Sequence, residues 1–64
     1  MITIEEVFAM DERHWDDFLM RASKDEIRPL ILAFQRMIQD NGESNISKRY
    51  IRRYKEAVSV YKVI

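Results

Sequence analysis

Ser23-Lys24-Asp25-Glu26-Ile27-Arg28-Pro29-Leu30-Ile31-Leu32-Ala33-Phe34-Gln35-Arg36-Met37-Ile38-Gln39-Asp40-Asn41-Gly42 is the stretch that decides the fold. At about 100° per residue, Ile27, Leu30, Ile31, Phe34, Met37 and Ile38 share one side of a helix, a stripe that needs a core to face. Ser23 followed by Glu26 spells a capping box, in which each side chain answers a backbone N–H of the other residue. Asp25 and Glu26 also set negative charge near the helix's positive end. Pro29 is tolerated in a first turn but lies deeper than that if Ser23 is the cap, which moves the expected start toward Asp25. Asn41 and Gly42 end the run, because both accept the left-handed conformation of a helix terminus. The expected helix therefore spans about 24–40.

Working upstream, Thr3 with Glu6 repeats the capping box, and Ile4, Val7 and Phe8 share a face over about 4–10. A short strand at Ile2–Ile4 is the alternative there. Asp11 caps a second helix over about 12–22, with Trp15, Phe18, Leu19 and Ala22 at i, i+3, i+4 and i+7. Downstream, Ser44, Asn45 and Ser47 are candidate caps for a last helix that begins between about 45 and 48. Tyr50, Ile51, Tyr54, Ala57, Val58 and Tyr61 form its apolar stripe. Residues 58–64 are rich in β-branched side chains and read as strand in isolation, but the unbroken stripe favours helix to about 61. With one Gly and one Pro in 64 residues, few positions suit the tight turns of a sheet,. The expectation is one all-α domain over 1–64, a three- to four-helix bundle whose second half is helix-turn-helix-like.

Composition narrows the function. No cysteine is present, so disulfides and thiolate metal sites are excluded,. At 47% hydrophobic the chain is too apolar for disorder,. No apolar run approaches the roughly 18 residues of a membrane span. The start, Met1-Ile2-Thr3-Ile4-Glu5-Glu6, has neither the basic nor the apolar region of a secretory signal, which points to the cytoplasm,. A chain this short buries a small core, so a homo-oligomer is plausible.

Eleven bases balance eleven acids, yet the charges are segregated. Residues 1–26 carry eight acids against three bases, a net −5; residues 27–64 carry eight bases against three acids, a net +5. Most of the excess sits on the last helix as Lys48, Arg49, Arg52, Arg53, Lys55 and Lys62, with Lys48, Lys55 and Lys62 nearly in line at seven-residue spacing,. Arg can form paired hydrogen bonds to carboxylate or phosphate, and Lys acts as a mobile point charge. These six residues are the expected surface for a partner or a nucleic acid. A solvated face, or one paired with the chain's own acidic half, is the plain alternative. Ser47-Lys48-Arg49-Tyr50-Ile51-Arg52-Arg53-Tyr54, after a Gly-containing turn, is similar to recognition helices of some bacterial helix-turn-helix regulators, which implies DNA contact by a homodimer.

Met20 falls between Asp16 and Asp17, and Leu32 between Arg36 and Gln39, both away from their helices' apolar stripes. Val60, Val63 and Ile64 leave the Tyr50–Tyr61 stripe. Together these five residues form the candidate apolar interface. His14, the single histidine, with Asp17 makes a weak metal pair,. Asp16 and Asp17 diverge by about 100° and do not converge on a substrate. Residues 40–45 lack the terminal glutamate of a calcium loop. No metal, cofactor or catalytic set emerges, and the expected function is non-enzymatic. First comes a regulatory or adaptor protein that docks a protein partner on a charged helical face. A DNA-binding homodimer is the alternative, and a self-assembling structural subunit the second alternative.

Overall fold

The computed structural model describes residues 2–64. Its order is α1 (Ile4–Ala9), α2 (Glu12–Arg21), α3 (Lys24–Asn41), a 3-10 turn (Glu43–Asn45) and α4 (Lys48–Val63). No strand occurs among the described residues, so the alternatives at Ile2–Ile4 and 58–64 fall away. Thr3 is instead the cap of α1, and α4 runs on to Val63 despite the local β preference,. The expected all-α bundle is what forms.

Each helix starts on a cap that the sequence spells. Thr3 Oγ1 accepts from the Glu6 N–H at 3.2 Å, and Asp11 Oδ1 accepts from the His14 N–H at 2.8 Å. The Ser23 N–H and hydroxyl both donate to Glu26 Oε1, at 3.3 and 3.2 Å. Ser47 Oγ accepts from the Arg49 N–H at 3.3 Å. Ser23 thus remains the cap of α3, and the start expected nearer Asp25 is corrected. The carbonyl that Pro29 leaves without a donor belongs to Asp25, whose exposure lets water satisfy it,. Gly42, at φ +81°, turns the chain out of α3, and its N–H still donates to the Ile38 carbonyl at 2.8 Å.

Asp11 provides a test of these caps. The His14 N–H bonded to its carboxylate holds the Asp11 pKa below the ordinary 3.8, because the bond favours the charged form,. Its contribution is present above that value and disappears as pH falls through the lower folded-state pKa. Asp11→Asn should keep most of the cap and lose this acid dependence. Thermal melts of the two proteins between neutral pH and about pH 2 should converge as Asp11 protonates; parallel curves would refute the assignment.

All four helices feed one core. Val7 of α1, Trp15 and Leu19 of α2, Ile27, Leu30 and Phe34 of α3, and Ala57 of α4 are buried. Phe8 stacks on Tyr50 with centroids 3.9 Å apart, fastening α1 to α4. The α3–α4 pair is antiparallel. Gln35 Nε2 donates to Tyr54 Oη at 3.2 Å, and Lys24 Nζ sits 5.1 Å from the Tyr61 ring centroid at the far end. The radius of gyration, 11.0 Å, is close to the roughly 10.7 Å expected at this length,. Helices α1 and α2 cover one side of the α3–α4 hairpin. Lys48, Lys55 and Lys62 of α4 are exposed.

Candidate binding face on the α3–α4 hairpin

Arg53 departs furthest from the sequence expectation. It is 1% exposed, and its guanidinium turns inward instead of toward a partner. Nη1 donates to the Val7 carbonyl at 2.6 Å, and Nη2 to the Met10 carbonyl at 2.9 Å. Nη2 also lies 3.4 Å from Glu12 Oε1, and the guanidinium carbon stands 5.5 Å from the Trp15 ring centroid. The Val7 carbonyl also accepts from the Met10 N–H at 3.2 Å, and the C-terminal end of a helix carries partial negative charge that favours a cation,. Arg53 therefore caps α1 from across the fold. Its place in the candidate partner surface is corrected to a structural one.

Arg49 is half withdrawn as well. Its Nη2 donates to the Met10 carbonyl at 2.8 Å, while Nε pairs with Glu12 at 3.3 Å. Arg52 stays exposed, with Glu12 and Glu56 each 3.8 Å away. Exposed pairs of this length contribute little to stability, but they offset the charge of Arg52. Lys48, Lys55 and Lys62 differ from all three arginines. They are exposed, and among the described residues no carboxylate lies within 4 Å of them.

The three lysines share their stripe of α4 with two apolar residues. Positions 48, 51, 55, 58 and 62 alternate steps of three and four, so Lys48, Ile51, Lys55, Val58 and Lys62 form one line,. Ile51 and Val58 are half-buried but lie outside the set packed on the main core, as does Ile38. The expectation that these three belong to the core stripe is corrected. One groove has Ile46 and Ile51 in its wall with Lys48, Arg52 and Lys55 beside them, and Glu43 at one end. A second groove lies between Leu32 and Gln35 of α3 and Val58 and Lys62 of α4, with Arg28 at its edge.

Of the apolar candidates, Met20 is 85% and Val63 82% exposed, and Leu32 and Ile64 are also open. Val60 is different. It is half-buried against the core, so it is corrected out of the interface set. Leu32 borders the second groove, whereas Met20 projects from α2, remote in sequence from the lysine stripe. His14 is exposed, with Nδ1 3.3 Å from Asp11 Oδ1 rather than paired to Asp17.

Sequence reasoning missed Ile46, and it missed the inward turn of Arg53. A signal for the latter existed. Tyr50, Arg53, Ala57 and Val60 follow the same three-four spacing as an apolar stripe, so Arg53 sits at a core position that a count of apolar residues alone skips,. No family model, curated protein or solved structure matches the chain. No helix among the described residues is long and apolar enough to cross a membrane.

Proposed function

We propose that this chain is a small non-enzymatic regulatory or adaptor protein that docks an acidic protein partner on the outer face of α3 and α4. A cytoplasmic setting is part of the proposal. One observation carries it: among the described residues no carboxylate lies within 4 Å of Lys48, Lys55 or Lys62, and these stand in line with half-buried Ile51 and Val58. Unpaired cations beside apolar surface suit a protein that brings both carboxylates and apolar side chains. Phosphates would use the lysines and leave Ile51 and Val58 idle. The alignment of α4 along α3, from Tyr54 to Tyr61, favours the same reading, since it keeps α4 against its neighbour.

Charge reversal of all three lysines to Glu tests the proposal without disturbing Arg53. Immobilised wild-type chain should retain a stoichiometric acidic protein at about 0.15 M salt, and the triple variant should lose it. Duplex DNA binding with a log–log salt slope near −2.7, from about −0.9 per phosphate neutralised, and no protein retained would instead support the DNA-binding homodimer. A salt-labile oligomer of the chain alone would support the self-assembling subunit.

A further inference from the structure

We infer that the partner element seated on this face is an acidic amphipathic α-helix lying lengthwise along α4, over the grooves that α4 forms with the 3-10 turn and with α3. The inference rests on the proposed function and names the chemistry of its partner. Lys48, Ile51, Lys55, Val58 and Lys62 repeat with the three-four spacing by which one helix packs along another,. Their cations recur every seven residues, about 10.5 Å along the axis at 1.5 Å per residue. A helix laid alongside returns carboxylates to one face at the same interval. A strand covers about 10 Å in three residues, and residues three apart point to opposite faces. The repeat therefore fits a helix and not an extended peptide.

The first groove lies between the 3-10 turn and α4, and the second between α3 and α4. The first supplies Ile46 and Ile51, and the second supplies Leu32 and Val58. Apolar side chains of the incoming helix at i, i+3 or i+4, and i+7 would fall into them in succession. The borders are basic along nearly the whole length, with Arg28 on the α3 side and Lys48, Arg52, Lys55 and Lys62 on α4. Glu43 is the one acid in either border, at the end where the chain turns between helices. Charge complementarity thus selects an acidic helix. The α4 helix offers 16 residues of length, so about four turns of partner would cover it,.

Fluorescence anisotropy with designed peptides tests this. One labelled peptide of about 18 residues carries Leu at three-four spacing and Glu elsewhere; the other holds the same residues in scrambled order. The patterned peptide should bind at least about tenfold more tightly than the scrambled one. Leu32→Glu and Lys55→Glu, both at exposed positions, should each weaken it by about tenfold with unchanged melting temperature. Equal binding of the two peptides would overturn the helix while leaving an acidic partner standing. Binding of duplex DNA alone, or of no probe, would overturn both the inference and the proposed function. A dimer of the chain that the patterned peptide cannot displace would assign the groove to a second copy and also overturn it.

Discussion

Replacing Arg53 with Ala is expected to destabilise the fold by about 2–4 kcal/mol, through two lost hydrogen bonds from a charged donor and the lost packing of its guanidinium on Trp15,. The change removes a buried guanidinium and its bonds to the Val7 and Met10 carbonyls, which it reaches at 2.6 and 2.9 Å. Each bond from a charged donor is worth about 1.5–3 kcal/mol, and a buried acceptor left without one bears its full desolvation cost. Arg49 softens the loss at Met10, since it donates to the same carbonyl at 2.8 Å. At Val7 the Met10 N–H remains as a donor at 3.2 Å, so neither carbonyl is left without one. A chain of 64 residues has a total stability of roughly 3–10 kcal/mol, so Arg53→Ala should leave it partly unfolded at ambient temperature,. Urea unfolding followed by circular dichroism measures this. Arg53→Lys keeps the charge but cannot make two parallel bonds, and should fall between wild type and Ala. A midpoint within error of wild type for Arg53→Ala would show that the cap across the fold contributes nothing.

Trp15→Ala is expected to cost a similar amount, about 3–5 kcal/mol, by a different route. Trp15 is fully buried, with its ring 5.8 Å from that of Phe18 and 5.5 Å from the Arg53 guanidinium carbon. Truncation leaves a cavity at the meeting of α1, α2 and α4 that a core this small cannot refill by collapse. Trp15→Phe should cost much less, because the indole Nε1 has no hydrogen-bond partner to lose,. The two large effects should not add. Trp15 and Arg53 are in contact, so the double variant should be less destabilised than the two single changes together, by about 0.5–3 kcal/mol. Strict additivity in a double-mutant cycle would mean that the stacked cation contributes nothing to the core.

Local chemistry made most of the fold legible. The caps at Thr3, Asp11, Ser23 and Ser47, the α3 stripe and the Asn41-Gly42 stop all depend on residues within four positions of one another. Such interactions survive without knowledge of the tertiary neighbours. The candidate site was legible only in part. Six bases on one helix were visible, but a count of charges cannot say which are already occupied. Arg53 and Arg49 are committed to carbonyls 39 to 46 residues away, and nothing local in their own sequence names those partners. Their withdrawal leaves Lys48, Lys55 and Lys62 as the free cations of the stripe.

By itself, then, the sequence determined four helical segments to within a few residues and the division of charge into −5 and +5 halves. These follow from side-chain period and from hydrogen bonds that close within a turn. Only the tertiary structure decided which members of each stripe, and which charged side chain, meet the core. It placed Val60 against the core and Ile51 and Val58 outside it, and it buried Arg53 beneath the end of α1. The reason is that the end of α1 carries partial negative charge on its carbonyls, and the docking of α4 brings a guanidinium to them,. A pairing across 46 residues exists only once the chain has closed on itself.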